Sequence, residues 1–420
     1  NLFFTRRIVD PQFGTRLTGK VGRWALGALA MDDRAPGRLA PPGDPLRGER
    51  AAVGVVRVQR EFAAQSTAGL FISSRDFAGT SNRMFSLDTR LKLGRNWVLT
   101  GQAARSYSSN VGCRRCAGPT YYAEVRRIGR SFNYVGRYND RSPDFRAQLG
   151  FIPRVDIRQT EQFTSYNFWP KSRRLLRMGP SVFTVVNWNR AGQVQDWFVD
   201  ASFGFDFPRS TSFVVTRVDA FELFRGVEFR KHRTVLSFTT DWKSWLGFSV
   251  SGTTGSNPNY FPAAGAPFLG NFTSANASIT LRPSPRLRVD NTYIYTRLGT
   301  REGSSPPGVA AGHSIFNNHI ARAKVNYQFT RALSLRAIVD YNALLAAPGL
   351  VATPTSKRLT YDFLVIYLLH PGTAFYVGYT DRYENFDISS SMPPAVVRTA
   401  SPTTATGRIL FVKLSYLFRY

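Results

Sequence analysis

A chain of 420 residues with 43% hydrophobic content can bury a sizeable core. No stretch reaches the ~18 consecutive apolar residues that a membrane-spanning helix needs; the best run is FLVIYLL at 363–369. The formal net charge is +28, and 47 of the 55 basic residues are arginines, spread along the chain between apolar neighbours instead of gathered in one patch or tail. That spacing sets nucleic-acid binding aside and points to arginine lining a polar interior or meeting anionic lipid headgroups.

The chain opens on Asn1 with no initiator Met and no signal peptide, as a processed or partial chain does, which says nothing about export. Residues 1–14 are expected to be a lead-in on the periplasmic side, and 15–420 a single domain of strands. In MFSLDTRLKL (84–93), Phe85, Leu87, Leu91 and Leu93 face one way and Ser86, Asp88, Arg90 and Lys92 the other. WFVDASFGFDF (197–207) sets Trp197, Val199, Ala201, Phe203, Phe205 and Phe207 against Asp200, Ser202, Gly204 and Asp206. In RLRVD (286–290) the same rhythm isolates Arg288 and Asp290. ARAKVNYQF (321–329) opposes Arg322, Lys324, Asn326 and Gln328 to an apolar face, and LSLRAIVDY (333–341) does so with Ser334, Arg336 and Asp340. The chain closes on LFVKLSYLFRY (410–420), where Leu410, Val412, Leu414, Tyr416, Phe418 and Tyr420 share a wholly apolar face and Lys413 lies on the mixed one.

Reading the whole chain this way predicts about twenty strands (18–22): 15–31, 51–62, 66–77, 83–93, 96–108, 119–128, 131–139, 155–167, 173–189, 194–207, 211–224, 229–241, 245–255, 271–282, 286–299, 315–329, 332–344, 357–369, 373–386 and 407–420. Connections alternate between short (GRN, PRS, PSP, TRA, HPG) and long (SNVGCRRCAG, residues 140–154, GTREGSSPPGVAAGH, LAAPGLVATPT), with AGTSN and FRGVE expected among the longer set. Aromatics, 14% of the chain, gather near strand ends. The expected fold is therefore all-β: a transmembrane antiparallel up-and-down β-barrel with short periplasmic turns and long extracellular loops, both termini returning to the short-turn side. Its place is the bacterial outer membrane, with outer-membrane lipid and lipopolysaccharide as partners. Leu414, Tyr416, Phe418 and Tyr420 resemble the terminal signal that the outer-membrane assembly machinery reads.

FFTRRIV (3–9), RLTGKVGRWALGAL (16–29), VVRVQRE (55–61), LGFIPR (149–154), NHIARAKVNYQFTRALSLRAIVDYN (318–342) and the closing KLSYLFRY together resemble an outer-membrane barrel domain of uncharacterised function. In bacterial proteins that domain often follows a family-9-like carbohydrate-binding module. The resemblance implies a barrel, and it brings no catalytic residues.

Chemical motifs are sparse. Cys113 and Cys116, in GCRRCAG, can close a small disulfide, bind metal with partners from elsewhere or exchange thiols; an oxidising location favours the disulfide. His232, His313, His319 and His370 are scattered, so no metal is expected, and GTTGSN (252–257) lacks the lysine and helix of a phosphate loop. No nucleophile–base constellation stands out, and neither an enzyme nor a cofactor is expected. Asp88, Arg90, Lys92, Arg288, Arg322, Lys324, Arg336, Asp340 and Lys413 are the lumen-lining candidates. They suggest a pore or gated channel for polar, anionic solutes. The alternative is a plugged barrel that anchors a periplasmic carbohydrate-binding module or protein partner.

Overall fold

The computed structural model describes residues 2–63, 65–111, 113–370 and 372–417. Almost all regular structure is strand, in a sheet of 21 strands. The chain divides into two compact units: residues up to Asn167 with Ser181–Val199, and Phe168–Pro180 with the residues from Asp200 onward.

In the first unit the strands are β1 (Pro11–Val21), β2 (Trp24–Asp33), β3 (Ala51–Phe62), β4 (Ser66–Phe77), β5 (Thr80–Leu93), β6 (Trp97–Ser109), β7 (Arg115–Arg127), β8 (Phe132–Arg141), β9 (Ile157–Tyr166) and the Ser181–Trp188 part of β10 (Arg177–Trp188). Each pairs antiparallel with the next in sequence. The second unit takes the Asp200–Phe207 part of β11 (Val194–Phe207), then β12 (Thr211–Phe224), β13 (Val227–Lys243), β14 (Leu246–Asn259), β15 (Phe268–Ser284), β16 (Leu287–Gly299), β17 (Ser314–Gln328), β18 (Leu333–Ala346), β19 (Ser356–His370) and β20 (Thr373–Glu384). A small hairpin, β21 (Phe386–Ile388) with β22 (Val396–Arg398), precedes β23 (Thr404–Ser415), which pairs with β20. From β12 to β20 consecutive strands are antiparallel neighbours. A meander needs only local turns, and this sequence supplies them.

At one end of the first unit the connections are short: 22–23, 63–65, 94–96 and 128–131. At the other lie 34–50, 78–79, 110–114 and 142–156. The second unit repeats this, with 208–210, 244–245, 285–286, 329–332 and 371–372 opposite 225–226, 260–267, 300–313, 347–355 and 385–403. Two of the connections expected to be long are tight hairpins. Ala78–Gly79 and Arg225–Gly226 both have positive φ at each residue, the type I′ geometry whose twist matches the strands it joins.

The first expected strand, 15–31, is two strands. Val21 lies opposite Trp24 across Gly22–Arg23, so the exposed apolar face passes from Leu17 and Val21 to Trp24 and Leu26, a change of parity that a single strand over 15–31 cannot carry. This makes the count odd. It also starts β1 at Pro11, within the expected lead-in, and puts residues 2–10 at the long-loop end of the first unit, away from the short turns.

Candidate functional site

Register assigns every side chain of the first unit to one of two faces. One register row runs Gln59, Gly69, Asp88, Gln102, Tyr122, Asn139, Gln159, Asn187. A neighbouring row on the same face runs Glu61, Thr67, Arg90, Thr100, Glu124, Arg137, Glu161. The opposite face carries Val56, Ile72, Phe85 and Leu87, exposed and apolar. Trp24, Trp97, Trp242 and Trp245 stand exposed beside short turns in their respective units, the position of an interfacial aromatic belt.

Charges on the first unit's polar face are largely matched. Both Nη atoms of Arg57 donate to the Asp88 carboxylate, one at 2.7 Å to Oδ1. Glu124 is buried beneath Arg126 (2.6 Å), Arg137 (2.6 Å) and the Tyr122 hydroxyl (3.0 Å), and Arg137 reaches on to Glu161 (3.1 Å). Arg90 and Lys92 cap the short-turn end by donating to the carbonyls of Gln65 and Arg95.

The second unit differs. Its polar face on β16–β20 and β23 bears Arg288, Arg322, Lys324, Arg336, Arg358, Arg382 and Lys413, seven cations, against four carboxylates, Asp290, Asp340, Asp362 and Glu384. Arg288 binds both oxygens of Asp290 at 3.0 Å, Arg322 meets Asp340 at 3.1 Å, and Arg358 lies 3.9 Å from Glu384. Asp362 accepts the Thr380 hydroxyl, and Lys413 sits 5.8 Å from the centre of the Tyr376 ring. Lys324 faces Asp290 and Arg336 faces Asn326, but neither forms an ion pair among the described residues.

Two segments lie against the polar face of the first unit. Phe145 and Leu149, from the 142–156 connection, are almost fully buried against Phe71, Met84 and Ala104, with Leu2, Phe3 and Ile8 packed alongside. The connection is stitched down by Asn82, whose Nδ2 donates to the Arg146 carbonyl (3.0 Å) and whose Oδ1 accepts the Gln148 N–H (3.1 Å). Ser106 Oγ accepts the Arg146 N–H at 2.9 Å. A Cβ at Gly118 would stand 2.3 Å from the Phe145 nitrogen, so only glycine lets the backbone come this close. Phe4 donates its N–H to the Leu149 carbonyl at 2.7 Å, tying the leading segment to the same connection.

Residues named from sequence are thus dispersed: Asp88, Arg90 and Lys92 on β5, and Arg288, Arg322, Lys324, Arg336, Asp340 and Lys413 together in the second unit. Leu414 lies on the exposed apolar face beside β20, and Tyr416, just past the end of β23, is exposed; Phe418 and Tyr420 fall outside the described residues. Cys113 and Cys116 are joined in a disulfide. The first unit's partners Arg57, Glu124, Arg137 and Arg141 were missed, although VGVVRVQRE alternates as clearly as β5. Outside the spans, hydrogen bonds from Arg38 and Arg34 hold the Asp10 carboxyl below the usual range. Burial, aided by a 2.6 Å hydrogen bond to Glu222, pushes the Tyr260 phenol well above its own.

A sheet with one apolar, exposed face and one charged face, trimmed at one end and elaborated at the other, fits a bilayer and not water. Solved structures agree. The siderophore receptor PiuA from Acinetobacter baumannii is similar over 97% of this chain and 80% of its own, with a TM-score of 0.53 and 8% identity. The copper transporter OprC is similar over 97% and 79%, with a TM-score of 0.51 and 11% identity. The fold is that of a bacterial outer-membrane β-barrel. At such identities the likeness carries the fold alone. No protein-family model matches the sequence, and no curated protein matches it either.

Proposed function

We propose that this barrel passes polar solutes across the outer membrane and prefers anions. The observation that carries the reading is the cationic surplus on the second unit's polar face, in particular Lys324 and Arg336, which form no ion pair among the described residues. A ring or ladder of uncompensated cations beside a polar route lowers the energy of an anion and raises that of a cation.

The test replaces both by glutamine. At about 8 Å in water each charge contributes about 0.5 kcal/mol to a passing ion, roughly halved by 0.1 M salt. Because anion and cation shift in opposite directions, the double variant Lys324→Gln/Arg336→Gln is expected to lower the anion-to-cation permeability ratio about fivefold. Neither side chain holds a carboxylate, so the exchange orphans none. Reversal potentials in a salt gradient across a planar bilayer read the ratio. An unchanged ratio in a folded variant removes the anion preference.

The second reading, a plugged anchor for a periplasmic partner such as a carbohydrate-binding module, is favoured by one observation. Segments 2–8 and 142–152 cover the polar face of β3–β7 in the first unit. A wild-type protein with no conductance would put this reading first.

A further inference from the structure

Beneath the two segments that cover the first unit's polar face lies a cavity of about 550 Å³. Leu2, Phe3 and Ile152 close one side, and the sheet supplies the other through Arg57, Asp88, Gln102, Tyr122, Asn139 and Arg141. The size suits a small ligand. Two guanidiniums line it in the same register row, and they are in different states. Arg57 is taken up by Asp88 through both Nη atoms. Arg141 is half-buried and has neither an ion pair nor a side-chain hydrogen bond among the described residues. Its register neighbours are Thr120 and Ile157, and the one carboxylate whose field reaches it, Glu161, is hydrogen-bonded to Arg137. The Gln102 amide, two residues along the strand from Ala104 and in the row beside Arg141, is likewise unpartnered among the described residues.

We propose that this cavity is a binding site for a small organic monocarboxylate. The carboxylate lies against Arg141, whose planar fork matches it in a two-bonded geometry. The ligand's polar body meets Gln102 and Asn139, and its apolar part packs on Phe71 and Phe3. A single guanidinium with its hydrogen bonds free selects a single charge: a dianionic phosphate would require the second guanidinium, which Asp88 already occupies. A cation is excluded by Arg141 itself. A neutral solute leaves the guanidinium without the counter-charge that the desolvated site calls for.

The inference rests on the proposed preference for anions, but it is tested without conduction, by isothermal titration of the whole chain in detergent micelles. The probes are acetate, benzoate and D-glucuronate, each compared with its neutral counterpart, acetamide, benzamide or D-glucose. The expected result is that at least one carboxylate binds tenfold or more tightly than its counterpart. Arg141→Gln should weaken that carboxylate about 10- to 100-fold, to the level of the neutral probe, as expected for the loss of a charged hydrogen-bond pair. Arg141→Lys should retain part of the binding. If Arg141→Gln fails the heat-modifiability check for a folded barrel, Asp88→Asn decides instead, because it frees Arg57 and should tighten carboxylate binding. A panel with no preference for carboxylates, an Arg141→Gln variant that binds as the wild type does, or no tightening in Asp88→Asn overturns the site. Anion-selective currents that persist beside such a result would show that this site alone has fallen; carboxylate binding without any conductance would remove the channel reading and leave the site.

Discussion

Replacing Asn82 by alanine should release the 142–152 connection from the sheet without unfolding the first unit. Asn82 is 2% exposed, and its side chain also donates to Ser108 Oγ at 2.8 Å. Alanine removes the partners of the Arg146 carbonyl and the Gln148 N–H at once. Each buried group left unpaired costs about 1–3 kcal/mol, so the docked connection loses about 3 kcal/mol, or about a hundredfold in its docked-to-released ratio. Ser106 and the Arg75 contact to Gln148 (3.0 Å) still hold it, as does the burial of Phe145 and Leu149. Release should therefore be frequent, but not complete. Hydrogen exchange read by mass spectrometry on the 142–152 peptide should accelerate by one to two orders of magnitude, while peptides from β5 and β6 exchange as before. If the connection narrows the polar route, bilayer conductance rises in the same variant. Unchanged exchange across 142–152 in a protein of wild-type heat stability would refute the assignment of Asn82 as the stitch.

Adjacent residues on β19 test the two faces directly. Phe363 is exposed on the apolar face and Leu364 lies on the polar one, so Phe363→Arg should cost about 2–4 kcal/mol in a lipid bilayer and Leu364→Arg far less; urea titration of protein refolded into vesicles would show it, and equal costs would break the face assignment. Acid should loosen the latch between residue 10 and the 34–38 turn. Because Asp10 is held below its ordinary value by Arg38 and Arg34, its contribution is present above about pH 4 and lost as the pH falls through the depressed value. Proteolysis of the 34–50 connection should accelerate in that acid window, and in Asp10→Asn it should be fast at all pH values.

How much of this the residues disclose depends on whether a strand has one polar face or two. Within 84–93, 321–329 and 333–341, on β5, β17 and β18, every charged residue falls on one side, so period-two alternation alone places Asp88, Lys324 and Arg336 on the polar face. β8 and β9, FNYVGRYNDR and IRQTEQFTSY, are polar on both faces: Arg137 and Glu161 pair on one, while Tyr134 donates to Gln162 at 2.6 Å on the other. Alternation vanishes there, so period two assigns no faces to the expected strands 131–139 and 155–167. Residues 140–154 are expected from the sequence as a long connection, and Phe145, Leu149, Phe151 and Ile152 within them are the apolar signal that this connection packs against something.

Pairing is a different matter from facing. Arg57 and Asp88 are 31 residues apart, and their contact exists only because β3, β4 and β5 are joined in one register. A slip of one residue would send either side chain into the lipid. What fixes that register is the tight Ala78–Gly79 hairpin, where both residues take positive φ, together with the short connection between β3 and β4. From sequence AGTSN is expected among the longer connections, and with a long loop no register follows and no ion pair can be derived. Tight turns thus decide which cations are neutralised and which stay free to meet a solute. That Arg141, Lys324 and Arg336 form no ion pair among the described residues is a property of neighbouring strands in register, which no count of charges along the chain contains.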